Sequence, residues 1–180
     1  METLPDVQIV ASHTLPQDLI EELDHWYDRT LLADPAYVHV KDWALADWIV
    51  LIRFDGQWAS VAEIMDQVIR VGGQPQRVAG ISGVMTHPDR RGQGLAAQAV
   101  KAALDHARDE LNAPFGLLTS THKLMPYYRN LGWTEVPVRL TFTQSDGPSR
   151  YDPALVTSMI YPLSAQVWPN GDIDFNGPPW

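Results

Sequence analysis

A chain of 180 residues, 45% of them hydrophobic, is long enough to bury one substantial core. Its formal net charge of -9 argues against nucleic acid as a partner, because phosphate binding needs clustered Lys and Arg, whereas an acidic surface attracts cations. There is no cysteine, which excludes disulfides, thiolate metal sites and a thiol nucleophile, and no apolar run approaches the ~18 residues that span a bilayer.

Val7 to Ser12 reads as a first strand. Gln17 to Leu32 places Leu19, Ile20, Leu23, Trp26, Tyr27 and Leu31 near a 3.6 period and predicts a helix, stopped by Asp34-Pro35. Trp48 to Phe54 is a compact apolar strand, Asp55-Gly56 signals a hairpin, and Trp58 to Val71 is the long returning arm. After Gly72-Gly73-Gln74-Pro75, Arg77 to Thr86 is another strand, in which Gly80 and Gly83 mark a bulge or a close backbone approach. Leu95, Ala96, Ala99, Val100, Ala103, Leu104 and Ala107 form the stripe of the clearest helix, which ends at Asn112 and Pro114. Phe115 to Thr119 predicts a buried strand, Leu124 to Asn130 a short helix closed by Gly132, and Trp133 to Thr143 one alternating strand. Gln144 to Pro153 reads as a polar loop and Leu155 to Tyr161 as the last strand, before a tail, Ser164 to Trp180, rich in Pro, Gly, Asn and Trp. The order predicts an α/β sheet with antiparallel hairpins and one βαβ crossover. No Ser- or Gly-rich linker divides the chain, so residues 1–180 read as a single domain. The start Met1-Glu2-Thr3-Leu4-Pro5-Asp6 is no signal peptide, and with the absence of cysteine it points to the cytoplasm.

The strongest chemistry lies in Arg90-Arg91-Gly92-Gln93-Gly94-Leu95-Ala96, between a strand and a helix. The first amides of a helix lack intrahelical partners and sit at the positive end of its dipole. Gly92 and Gly94 let an anion come close, and the two arginines add charge, so the turn suits a pyrophosphate. A solvated glycine turn is the plainer reading. A P-loop is excluded, because no Gly-Lys-Ser/Thr follows.

The run Val84-Met85-Thr86-His87-Pro88-Asp89-Arg90-Arg91-Gly92-Gln93-Gly94-Leu95-Ala96 resembles the coenzyme A motif of the GNAT N-acetyltransferases, with Arg91, Gly94 and Ala96 at its Q/R-x-x-G-x-G/A positions. Pro126-Tyr127-Tyr128-Arg129-Asn130-Leu131-Gly132-Trp133 resembles their second motif, Y-x-x-x-G-F, with Trp133 in place of Phe. The resemblance covers about residues 48 to 143. It implies the GNAT fold, a mixed and mostly antiparallel sheet flanked by helices with a splayed coenzyme cleft, and acetyl-CoA as cosubstrate. It further implies that Val84, Met85 and Thr86 pair with the pantetheine arm, and that Gly92, Gln93, Gly94, Leu95 and Ala96, with Arg91, hold the pyrophosphate.

Tyr128 matches the family's general acid, a plausible role for a phenol that can donate to a leaving thiolate, although Tyr127 and Tyr128 could both be core aromatics. For the base, Ser82 acting through water, His87, Glu63 and the carboxylates of the tail are the candidates. His13, His25, His39, His106 and His122 read as surface or packing residues.

Beyond the two motifs, Leu117-Leu118-Thr119-Ser120-Thr121, Pro148-Ser149-Arg150, Tyr161-Pro162-Leu163, Asp42-Trp43 and the acidic tail ending in Trp180 resemble the aminoglycoside 2'-N-acetyltransferases. That likeness implies a small, cationic amine acceptor met by Asp42, Asp152, Asp172, Asp174 and the carboxylate of Trp180. The sequence departs from it at Ser82, at Ala154 and Leu155, and at Asn176-Gly177-Pro178-Pro179, where those enzymes carry acids. Trp168 and Trp180 are expected to close a pocket or to mediate an interface, which leaves a homodimer open. A protein or peptide N-acetyltransferase and a non-catalytic acyl-CoA-binding module are the competing readings.

Overall fold

The computed structural model describes residues 5–30 and 34–180. The first strand, β1 (Asp6–Ala11), leads through a 3-10 turn at Ser12–Thr14 into α1 (Gln17–Thr30). The expected continuation of this helix at Leu31 and Leu32, and the side chain of Tyr27, lie outside the described residues.

β2 (Trp48–Phe54) and β3 (Gln57–Val71) form the predicted hairpin, and β4 (Gln74–Thr86) returns along β3 from Val71–Gln74 to Ser60–Thr86. α2 (Leu95–Asp109) crosses over to β5 (Phe115–Thr121), which lies parallel to β4. This is the one βαβ unit that the sequence foretold. α3 (Met125–Asn130) follows β5. The mixed sheet flanked by helices is the arrangement that the GNAT resemblance implies.

The sequence reading and the structure part company after Gly132. One expected strand, Trp133 to Thr143, is two: β6 (Thr134–Val136) pairs with the late strand β9 (Val156–Pro162), and β7 (Leu140–Gln144) lies at the far side of the sheet. Pro137 stands between them and supplies no amide for a ladder. The expected polar loop contains β8 (Gly147–Arg150), an antiparallel partner of β7. The tail adds β10 (Ile173–Asp174), which lies antiparallel to Arg70–Val71 of β3 and parallel to Leu140–Thr141 of β7. So short a segment is recruited here because its amides and carbonyls find ladder partners: Phe175 N–H donates to the Thr141 carbonyl at 2.9 Å, and Gly72 N–H to the Asp172 carbonyl at 2.9 Å.

Three apolar clusters hold the sheet. α2 buries Leu95, Val100 and Leu104 against Val50, Ile52, Ile64 and Ile81. α1 buries Leu19 and Leu23 against Ile49, Leu51 and Val61. The tail closes the third cluster, laying Phe175 and Trp180 on Met65, Phe115, Leu117 and Phe142.

His106 sits in α2 against Trp48, with ring centroids 4.8 Å apart, and its Nε2 is buried with no hydrogen-bond partner among the described residues. Desolvation holds its pKa below the ordinary imidazole value, against the opposing charge of Glu110. The folded state therefore binds fewer protons here than the unfolded chain, so this contribution is present above the ordinary imidazole pKa of ~6.5 and is lost as pH falls through it. Melting temperatures from pH 7.5 down to 5 should decline, and His106→Leu should flatten that slope. An unchanged slope in the variant would remove His106 as its cause.

Candidate active site

Two features of β4 open a groove. Its parallel register with β5 is confined to Ala79–Gly116 and Gly80–Leu117, so Ile81 to Thr86 continues beside β3 as β5 leaves. Between the pairs Val61–Met85 and Glu63–Ser82, two steps of β3 face three of β4, and the extra residue makes a bulge. Gly83, at φ 55, takes the backbone conformation that the bulge requires.

Two cavities meet along this strand. One, of about 530 Å³, is lined by His25, Trp26, the run Val84 to Asp89, and Arg91. The other, of about 200 Å³, has Ser82 and Met85 on β4, Thr119 and Thr121 on β5, Tyr128, and Trp180 among its walls. Val84 and Met85 line both, which joins the two into one groove from Arg91, beside the glycine turn, to Tyr128.

At the outer end of the path, Gly94 caps α2 with φ 74, and Gly92 has φ 78. A Cβ placed at either would meet nothing within 4 Å, so the cradle at the helix start is open. No acidic residue occupies the first turn of α2. The amides from Gly92 to Ala96 thus fit a pyrophosphate by geometry and by charge. Of the two arginines, Arg90 is committed elsewhere: it pairs with Asp55 at 3.1 Å and lies 5.4 Å over the Phe54 ring. Arg91 stays exposed on the groove side, its Nε donating to the Thr86 carbonyl at 3.4 Å.

At the inner end, α3 presents Tyr128, 8% exposed, with Tyr127 edge-on at 5.2 Å and Trp133 at 6.2 Å. Burial, with smaller contributions from Tyr127 and Tyr37, pushes its pKa well above the ordinary phenol value. The hydroxyl therefore keeps its proton at neutral pH, as a proton donor must. Ser82 lines the same cavity, and its cross-strand partner on β3 is Glu63. Directly paired strand residues leave the sheet on one face with Cβ atoms about 5 Å apart, so Glu63 stands beside Ser82. His87 caps a short turn, its Nδ1 accepting from the Asp89 amide at 3.3 Å, with its ring edge-on to Trp26 at 5.6 Å.

The acids expected around the acceptor are not gathered here. The Asp42 carboxylate accepts from the Ser145 amide at 2.5 Å, and that hydrogen bond holds its pKa below the usual range. Asp172 accepts from the Arg139 amide at 3.1 Å, and Asp174 from the Asn176 amide at 2.9 Å. Asp152 accepts from the Ala154 amide at 2.9 Å and borders a different cavity. Trp180 alone of that set lines the inner cavity, 3% exposed. Asp34, Tyr37 and Trp43 are among the lining residues that sequence reasoning passed over as site residues. Asp34 had signalled only a helix stop, yet its charge, after burial, helps push the Tyr37 hydroxyl up to about 12. Trp168 packs edge-on against Phe115 at 5.1 Å.

If the positive φ at Gly94 matters for the anion cradle, Gly94→Val should weaken coenzyme A binding about tenfold, because a β-branched residue in the left-handed region costs at least ~1–2 kcal/mol. Gly94→Asn, which tolerates that region, should retain most of the affinity. Calorimetric titration of both variants checks this, and equal binding by Gly94→Val and the native chain would contradict it.

A strand-edge groove that ends on open amides at a helix start is the architecture of acyl-CoA-dependent transferases, and comparison with known proteins agrees. Residues 25–136 match the acetyltransferase (GNAT) domain family. The chain belongs to that family. No curated protein sequence matches it significantly. Among solved structures it is similar to an acyl-CoA N-acyltransferase from Pseudomonas aeruginosa, at 19% identity and TM-score 0.62 over 87% of this chain and 99% of that one. It is also similar to a GNAT family N-acetyltransferase from Escherichia coli in complex with CoA, at 16% identity and TM-score 0.61 over 98% and 93%. A structure from Salmonella typhimurium with acetyl-CoA as its cofactor aligns at 15% identity and TM-score 0.60 over 92% and 98%. At such identities the likeness is one of fold. Acetyl-CoA is the cosubstrate of this acetyltransferase family, in keeping with the CoA and the acetyl-CoA that two of these structures hold. Among the described residues, no helix is long and apolar enough to cross a membrane.

Proposed function

We propose that the chain transfers the acetyl group of acetyl-CoA to a primary amine of a small molecule. The observation that carries this reading is the pair of cavities joined along β4, which run from Arg91, next to the open glycine turn, to the cavity lined by Tyr128 and Ser82.

Acetyl-CoA supplies an activated thioester. The protein's part is placement and proton handling. The bulged edge at Val84 to Thr86 offers backbone groups to the pantetheine arm, and Trp180 walls off the inner end from the sheet interior. Tyr128 donates a proton to the departing thiolate. Ser82 and Glu63 hold the water that takes a proton from the incoming ammonium. The acid absent from position 82 on β4 is thereby replaced from the neighbouring strand. Glu63→Gln should lower kcat/KM by about 10²-fold at neutral pH, with partial recovery at higher pH where more of the amine is already neutral. An unaltered pH profile would remove Glu63 from this role.

Asp34, Tyr37 and Trp43 provide one carboxylate and two aromatic faces in the cavity wall, a set suited to a single ammonium group. A cavity of about 200 Å³ is smaller than a drug-sized pocket of ~300–1,000 Å³ and suits the amine-bearing end of an acceptor. The engagement of Asp42, Asp172 and Asp174 by the amides of Ser145, Arg139 and Asn176 weighs against a polycation, so an aminoglycoside is the narrower reading, supported by the sequence likeness alone. Thiol release from acetyl-CoA tests the proposal against aminoglycosides with and without a 2'-amine, polyamines, amino acids and short peptides. Turnover of small amines supports it. Turnover restricted to peptides, or none with any amine, would defeat it.

A further inference from the structure

Asp34, Tyr37 and Trp43, which line the cavity of Tyr128, all come from a stretch, residues 34–47, that forms neither helix nor strand. Irregular backbone stays in one place only through what its polar groups find elsewhere. The start of the stretch closes on itself: the Ala36 amide donates to the Asp34 carboxylate at 2.9 Å, and the Tyr37 amide to the Asp34 carbonyl at 3.0 Å. Its end joins the sheet, where the Asp47 amide donates to the Ile64 carbonyl at 2.9 Å and the Asp66 amide to the Asp47 carboxylate at 2.8 Å. Trp43 lies between these anchors, its ring centroid 6.0 Å from that of Tyr37.

The middle is gripped by a side chain distant in sequence. Gln144, the last residue of β7, is 6% exposed. Its Oε1 accepts from the Lys41 amide at 2.6 Å and from the Asp42 amide at 3.0 Å, and its Nε2 donates to the Asp42 carbonyl at 2.9 Å. A carboxamide offers two donors and two acceptor positions, and most of them are used here on two consecutive residues. The next residue adds to the grip, since the Ser145 amide donates to the Asp42 carboxylate at 2.5 Å. Lys41 also pairs with Asp146, but that pair is exposed at both ends and holds the stretch weakly.

On the other side of Trp43, the Ala44 amide donates to the Pro179 carbonyl at 2.8 Å, and the next residue of the tail, Trp180, lines the same cavity. The backbone is thus fixed on either side of Trp43, at Asp42 by Gln144 and at Ala44 by the tail. Burying a carboxamide costs desolvation, which its hydrogen bonds offset. Those bonds also impose direction, which an apolar side chain of the same size would not.

We propose that Gln144 is a positioning residue for the acceptor: it fixes the backbone at Lys41 and Asp42 so that Trp43 stands in the cavity wall, and it thereby sets the affinity for the amine without touching it. This rests on the amine acetyltransferase reading above and names the residue that shapes its acceptor wall. Its effect falls on acceptor binding, because the groove for the coenzyme is built from β4 and the start of α2, which Gln144 does not hold.

Two measurements on the full chain test it. Gln144→Met keeps the length of the side chain and removes its hydrogen bonds. With the amine of highest turnover in the thiol-release panel, KM for the amine should rise about tenfold or more, while kcat and the Kd for coenzyme A stay within about twofold of native. The rise should largely vanish in a Trp43→Ala background, because the two residues act through one wall. A native KM in Gln144→Met, or the same rise with and without Trp43, would overturn the proposal and leave Gln144 a structural residue. The second measurement, hydrogen exchange, needs no acceptor. Residues 38–46 should exchange about tenfold faster or more in Gln144→Met, with β4 and β5 at native rates, and unchanged exchange over 38–46 overturns the proposal. Gln144→Glu keeps an acceptor for the two amides and loses the donor to the Asp42 carbonyl. It should show smaller shifts of the same kind, and it serves in both measurements if Gln144→Met does not fold. Failure of every amine in the panel defeats the acetyltransferase reading, and hydrogen exchange still decides whether Gln144 fixes the wall.

Discussion

Tyr128→Phe lowers kcat for acetyl transfer by about 10²–10⁴-fold while leaving the affinity for coenzyme A within a factor of two or so of the native value. The substitution removes one oxygen from a ring that is 8% exposed and keeps its edge-on contacts with Tyr127 and Trp133, so the fold is expected to persist. The loss falls on kcat because the proton is needed only as the thiolate departs. Burial raises the phenol pKa, so the alkaline limb of the native pH profile should not appear below about 10, the ordinary value for a phenol. Steady-state kinetics with both proteins over pH 6 to 10 read both effects. Equal kcat in the two would show that Tyr128 is only a core aromatic.

Trp180→Ala costs about 3–5 kcal/mol of stability, the range for emptying a buried aromatic site. The ring is 3% exposed, stacks edge-on with Phe175 at 4.6 Å, and directs Nε1 to the Leu117 carbonyl at 3.5 Å. Its seat exists because position 80 has no side chain: a Cβ on Gly80 would lie 2.3 Å from Cε2 of the ring. Gly80→Val therefore expels the same ring from the other direction. The two substitutions remove one shared contact, so their combined cost in a double-mutant cycle falls well short of the sum. Chemical denaturation of the two single variants and the double variant measures this. Simple additivity, or a cost below about 1 kcal/mol for Trp180→Ala, would show that the tail merely rests on the sheet.

The parts of the fold that local pattern encodes were legible. Trp48 to Phe54 and the stripe of α2 have strong periodicity, and Gly80 and Gly83 were marked as sites of close approach or bulging, which is what Trp180 and the β4 register show. The coenzyme turn was legible because its chemistry lies in a short run of backbone. The tail strand Ile173–Asp174 was not, since two residues form a strand only where neighbouring edges await them, and that is settled by tertiary contact. The division at Pro137 was obscured by alternation that continues on both sides of it. Nor could sequence show which way a carboxylate turns. Asp42, Asp152, Asp172 and Asp174 each satisfy a backbone amide away from the inner cavity, whereas Asp34, which accepts from the Ala36 amide at 2.9 Å as punctuation would, also lines that cavity. The facing of Glu63 likewise depended on its register with Ser82, on the far side of a bulge.

The most direct test is a crystal structure of the chain with acetyl-CoA and a non-reacting amine. The account predicts the pyrophosphate on the amides from Gly92 to Ala96, the pantetheine arm beside Val84 to Thr86, and the thioester sulfur within hydrogen-bonding reach of the Tyr128 hydroxyl. A coenzyme whose sulfur lies away from Tyr128, or whose pyrophosphate avoids the glycine turn, would contradict it.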